Sequence, residues 1–121
     1  MSAIPFSKIL VQSGRVERGK TEARIFGYPT ANIAFDDHEI SGAYAGQVEI
    51  DAVPYEAAIY ADQKRKVLEA HIFEFSGDIY GKDVTMTLLE KISDSKVFTD
   101  MNALQAKITS DIEKVRKYFG K

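Results

Sequence analysis

A chain of 121 residues, 45 % hydrophobic and 28 % charged, is expected to form one domain over residues 1–121 that buries roughly two thirds of its unfolded surface. A formal net charge of −2 with interspersed signs excludes the basic footprint of a nucleic-acid binder. With no cysteine, no leader-like h-region and no apolar run of membrane-spanning length, disulfide frameworks, thiolate metal sites and a transmembrane helix are excluded too. The expectation is a cytoplasmic protein working alone, as a monomer, or as a small oligomer.

Lys8-Ile9-Leu10-Val11-Gln12 is the first apolar run, and Gly14 to Tyr28 reads as a glycine-punctuated loop region. Gly14-Arg15-Val16-Glu17-Arg18-Gly19-Lys20-Thr21 matches the pattern G-x-x-x-x-G-K-[ST] of a phosphate-binding P-loop. That pattern works only between a buried parallel strand and a long helix, whose N-terminus meets the phosphates. Gly27 and Pro29 follow too soon for such a helix, and no βαβ succession comes after. A P-loop fold is rejected, although backbone N–H groups of these glycines can cradle phosphate in other folds.

Gly27-Tyr28-Pro29-Thr30-Ala31-Asn32 is the most constrained stretch. Gly27 permits close backbone approach, and Pro29 stiffens the chain and extends Tyr28. Thr30 and Asn32, two apart on an extended segment, point the same way. A hydroxyl and an amide oxygen so placed suit a hard cation that keeps most of its shell as phosphate and water.

From Gly42 the chain alternates, with Tyr44, Val48 and Ile50 on one face and Ala45, Gln47 and Glu49 on the other. Asp51-Ala52 reads as a tight reversal, Tyr55 to Tyr60 as the returning strand, and Val67 to Phe75 as the clearest strand. That last strand aligns Val67, Glu69, His71, Phe73 and Phe75, setting a carboxylate and an imidazole among apolar neighbours. Glu69 is therefore either a solvent-facing strand residue or a functional base. With only His38 as a companion, His71 is unsuited to a histidine metal site. Lys64-Arg65-Lys66 reads as a solvated loop tip. Turns at Ser76-Gly77-Asp78 and Tyr80-Gly81-Lys82 lead to a strand over Asp83–Ile92, with Val84, Met86, Leu88 and Ile92 on one face. Leu104, Ile108, Ile112, Val115 and Phe119 form the apolar stripe of a helix capped by Thr99 or Asp100, with Lys114, Arg116, Lys117 and Lys121 near its negative end. Short strands without intervening helices predict an antiparallel barrel or sandwich.

These blocks together resemble the riboflavin kinases: Gly14-x-Val16-x-x-Gly19, Arg24-x-x-Gly27-Tyr28-Pro29-Thr30-Ala31-Asn32, Leu68-Glu69-Ala70-His71-Ile72, Ser76 to Lys82, then Phe98, Leu104, Ile108 and Asp111. The resemblance implies a mainly β fold, a small antiparallel Greek-key barrel with a C-terminal helix. The implied reaction moves the γ-phosphate of ATP to the 5′-hydroxyl of riboflavin, giving FMN and ADP. Thr30 and Asn32 would ligate Mg²⁺ (or Mn²⁺ or Zn²⁺), and Glu69, facing them across a barrel mouth, would be the catalytic base. Gly14, Val16, Gly19, Lys20, Arg24, Gly27, Pro29 and Thr30 would line the nucleotide, with His71 and Tyr80 on the same side.

Departures from the family pattern fall on the substrate-covering loops. Tyr60 to Lys66 is shorter than the family's segment before the glutamate, Ser93-Asp94-Ser95 stands where an arginine and a glutamate are usual, and Ala23 replaces a glycine. Relatives are often fused to an adenylyltransferase domain, for which 121 residues leave no room; as a complete chain its expected product is FMN, and as an excised domain it has a partner outside this sequence. The competing expectation is a catalytically weak or repurposed barrel that binds nucleotide or flavin in regulation or assembly. A plain interaction domain is the third.

Overall fold

Apolar residues at every second position build six antiparallel strands, and one 3.6-residue repeat builds the helix that covers them. The strands are β1 (Leu10–Arg15), β2 (Thr30–Ala34), β3 (Gly42–Ile50), β4 (Val53–Asp62), β5 (Val67–Ile72) and β6 (Asp83–Ser93), followed by α1 (Met101–Tyr118). The structure is a computed structural model that describes residues 9–17, 30–95 and 99–121. The strand order is β1-β6-β3-β4-β5-β2. β3, β4 and β5 form a meander and β6 returns beside β3, which is a Greek key. The sheet curls until its edges approach: Glu17 bridges Asn32, its N–H donating to the Asn32 carbonyl at 2.7 Å.

The concave face holds the main core, in which Ala31, Ile33, Tyr44, Val48, Ile59, Leu68, Ile72, Met86 and Leu88 pack together. The convex face carries α1. There Ile112 and Val115 meet Ala45, Ala58 and Phe73, the small alanines letting the helix approach closely, and the Arg116 guanidinium lies 4.6 Å above the Phe73 ring. Asp100 caps the helix, its carboxylate accepting from the Asn102 N–H, while Arg116 and Lys117 occupy the last turn and oppose its negative end.

The reversal at Asp51-Ala52 is as expected, both residues adopting positive φ (51° and 67°) as a two-residue hairpin of matching twist requires. Several expectations are corrected. Gly14 lies within β1, paired with Val84, not in a loop, and this antiparallel pairing is incompatible with a P-loop. A Cβ on Gly14 would stand 3.2 Å from the Ile33 Cβ, so this glycine lets the two sheet edges come together. β5 ends at Ile72 because the chain turns through Glu74 at positive φ. Phe73 stays on the helix side, while Phe75 joins the inner core edge-on to Tyr55 at 5.0 Å. Ile92 does not share the face of Val84, Met86 and Leu88. A register shift between β3 and β6, with Leu89 as an extra residue between Leu88 and Glu90, reverses the alternation and carries Ile92 under α1.

Candidate active site

Cross-strand register gathers the candidate residues on the convex face. Asn32 is the direct partner of Glu69, and Thr30 of His71, on the β2–β5 ladder. Directly opposed residues project to the same side. On the next ladder Tyr60 opposes Glu69 and Ala58 opposes His71. One row thus runs Asn32, Glu69, Tyr60 across three neighbouring strands, with Thr30 and His71 one step along. The carboxylate and the Thr30/Asn32 pair therefore sit side by side on adjacent strands of the outer face, not opposed across a barrel mouth as expected.

Alpha helix α1 roofs part of this face and leaves a groove of about 640 Å³. Its sheet side includes Tyr60, Glu69 and His71, its hairpin side Asp62 and Arg65, and its helix side Leu104, Lys107 and Asp111. The hairpin tip is exposed as expected, and its Arg65 also reaches back to the groove. The Arg65 Nε donates to Asp62 Oδ2 at 2.8 Å and its Nη2 reaches Glu69 Oε1 at 3.5 Å. Burial works to raise the Asp62 carboxyl, but hydrogen bonds from Arg65 together outweigh it and hold the group below its ordinary value. On the helix side Asp111 is 2 % exposed. It accepts from the Ser93 hydroxyl at 2.8 Å and from Lys107 Nζ at 2.6 Å.

Three buried polar atoms on the sheet side lack a hydrogen-bond partner among the described residues: Asn32 Oδ1, Tyr60 OH and His71 Nδ1. The two rings lie 5.1 Å apart at 53°. Burial pushes His71 down to about 4, so it is neutral at physiological pH. Burial, reinforced by the Asp111 and Glu69 carboxylates, pushes the Tyr60 phenol up, so it stays protonated. An unmade buried hydrogen bond carries a desolvation cost. Three of them on one face make that face the candidate site.

Val16 and Tyr80 lie elsewhere, at the end of the barrel near the β1–β2 seam. The Val16 N–H donates to the Lys82 carbonyl and the Gly81 N–H to the Val16 carbonyl, and both side chains pack on the inner core. Gly14 belongs to the same seam. Gly19, Lys20, Arg24, Gly27 and Pro29, with Tyr28 and Phe98, fall outside the described residues. No group of three or more histidine, cysteine, aspartate or glutamate side chains that could hold a metal occurs among the described residues, and no helix there is long and apolar enough to cross a membrane.

Sequence reasoning passed over Tyr60, Arg65, Lys107 and Ser93 as site residues. The available signal was Asp111, a carboxylate set between Ile108 and Ile112 on the apolar stripe of α1, where burial demands a partner.

The family model described as riboflavin kinase (flavokinase) matches residues 8–119. A bifunctional riboflavin kinase/FMN adenylyltransferase of Mycoplasma pneumoniae is 33 % identical over 113 residues, which covers 89 % of this chain and 42 % of that protein. The chain thus spans about two fifths of that relative. Among solved structures, one described as a macrolide-efflux protein from Streptococcus pneumoniae superposes with TM-score 0.72 at 31 % identity, over 88 % of this chain and 36 % of that one. Riboflavin kinase from Trypanosoma brucei superposes with TM-score 0.63 at 24 % identity, over 92 % and 77 %, a likeness of fold. Matched along nearly its whole length by the family model, the chain belongs to the riboflavin kinase family.

Proposed function

We propose that this chain transfers the γ-phosphate of ATP to the 5′-hydroxyl of riboflavin, yielding FMN and ADP, with Glu69 as general base. The observation that carries the reading is the Asn32–Glu69 cross-strand pair beside an unpartnered, buried Asn32 Oδ1. A primary alcohol is a poor acid, and a carboxylate in reach of it contributes on the order of 10²–10⁴-fold. The hydroxyl proton passes to Glu69, the freed oxygen forms its bond to the γ-phosphorus, and the bond from that phosphorus to the β-phosphate oxygen breaks, releasing ADP.

The donors on β2 fit a hard cation. The Asn32 oxygen is buried and unsatisfied, and the Thr30 hydroxyl, on a residue 8 % exposed, lies two residues along the same face. Both are neutral, which suits Mg²⁺ (with Mn²⁺ or Zn²⁺ as substitutes) whose negative ligands come from nucleotide phosphates. When bound, the ion supplies charge neutralisation for phosphoryl transfer, which depends chiefly on positioning and electrostatics. His71, opposite Thr30, stands on the nucleotide side. Lys20 and Arg24, in the glycine-rich segment, are assigned to covering the phosphates, with Gly19, Gly27 and Pro29 beside them, whereas Gly14, Val16 and Tyr80 serve the β1 seam and the inner core. The protein works as a cytoplasmic monomer.

Purified protein with Mg²⁺, ATP and riboflavin is expected to produce FMN, separated by chromatography. No FMN above the protein-free blank overturns the reading. A second reading, a barrel that binds flavin or nucleotide without transfer, is favoured by one contact: Arg65 pairs with Glu69, and an ion-paired carboxylate is a weaker base. Quenching of riboflavin fluorescence without FMN formation would select it.

A further inference from the structure

Tyr60 brings to the groove a hydroxyl that no described residue uses. Its OH is buried and has no partner among the described residues, although the residue sits directly across from Glu69 and lines the groove. A phenylalanine would fill the same space against Ala58, Ile112 and Val115 without the desolvation cost of an unpaired hydroxyl. We propose that the Tyr60 hydroxyl binds the polyol chain of the acceptor, donating a hydrogen bond to a hydroxyl neighbouring the one that reacts at Glu69. This rests on the kinase reading for the identity of the reacting group.

The chemistry of the wall selects a polyhydroxylated ligand. Glu69, when ionised, only accepts hydrogen bonds, whereas the protonated Tyr60 phenol donates. The His71 Nδ1, in a ring 5.1 Å from that of Tyr60, is a second unfilled position beside the Tyr60 hydroxyl. Successive alcohols satisfy such a mixed set because each hydroxyl both donates and accepts. A flat apolar ring laid on the same wall would leave the Tyr60 hydroxyl and His71 Nδ1 unpaired. Adjacent strands lie about 4.8 Å apart, so Glu69 and Tyr60 are spaced to hold two hydroxyls of one short chain. Tyr60 thus discriminates acceptors with a polyol chain from those without one.

The test compares the parent protein with Tyr60→Phe, using riboflavin and lumiflavin, which has the ring system without the ribityl chain. Binding is read by flavin fluorescence, turnover by FMN formation, and folding by the melting temperature without ligand. The parent is expected to prefer riboflavin, and Tyr60→Phe to lose about tenfold of that preference. The KM for ATP should stay within twofold, and the melting temperature should hold or rise. An unchanged riboflavin-to-lumiflavin ratio overturns the inference, as does a lowered melting temperature with equal loss for both flavins, which would mean a structural hydroxyl. Binding of riboflavin without FMN formation rejects the kinase reading, yet still tests Tyr60 through the binding ratio. Failure of the parent to bind either flavin rejects both.

Discussion

Asn32 and Glu69, separated by 37 positions in the chain, are direct partners across the β2–β5 ladder, so an amide oxygen and a carboxylate leave the sheet side by side. In the proposed reaction that adjacency gives Glu69 its neighbourhood for proton transfer. Glu69→Gln keeps the size and removes the proposed base. FMN formation is expected to fall by about 10²–10⁴-fold, while ATP binding, read by calorimetry, stays within threefold of the parent. Turnover retained within tenfold would remove Glu69 from its role.

Much of this was legible beforehand because it is local. The stripe from Leu104 to Phe119 obeys one period, and the reversal at Asp51-Ala52 joins two clean alternations. The Asn32–Glu69 register was not legible, since pairing between distant strands follows from closure of the whole sheet. Ile92 was misplaced for a related reason: an extra residue in β6, between Leu88 and Glu90, shifts the parity that a strict two-residue repeat assumes. Gly14 read as loop because its purpose, close approach to Ile33, lies in another strand. Tyr60 was hidden because a strand tyrosine is ordinary, and only the packed structure shows its hydroxyl unpaired.

Gly14 separates a seam from a phosphate cradle. With a Cβ 3.2 Å from that of Ile33, Gly14→Ala is expected to cost about 1 kcal/mol through overpacking, seen as a lower urea midpoint at unchanged slope. The KM for ATP should remain within twofold. A rise in that constant beyond fivefold without loss of stability would assign Gly14 to the nucleotide instead.

Asp111 anchors α1 to the end of β6 through Ser93 and Lys107. Removing one member of a buried ion pair typically costs 3–5 kcal/mol by stranding its partner. Lys107 keeps 19 % side-chain exposure and can partly rehydrate, so Asp111→Ala should lose about 3 kcal/mol, at the lower end. The double replacement Asp111→Leu with Lys107→Met strands no charge and should recover most of the loss. Equal destabilisation of the single and double variants in urea would show that packing, not charge, governs this contact.

His71 makes stability fall in acid. Its imidazole titrates near 6.5 when unfolded and is pushed down to about 4 by burial in the fold, so between those values the unfolded chain binds the extra proton. Its contribution is therefore fully present above pH 6.5 and is lost as pH falls towards 4, a change of roughly 3 kcal/mol across the window. Carboxylates titrate over the lower part of the same range, so the isolating measurement is a difference. Urea unfolding of the parent and of His71→Gln, compared at pH 7 and pH 4.5, should show the parent losing more stability between the two conditions. Equal losses in the two proteins would mean that the folded state accepts the proton at His71, through opening of the groove beside Thr30 and Tyr60.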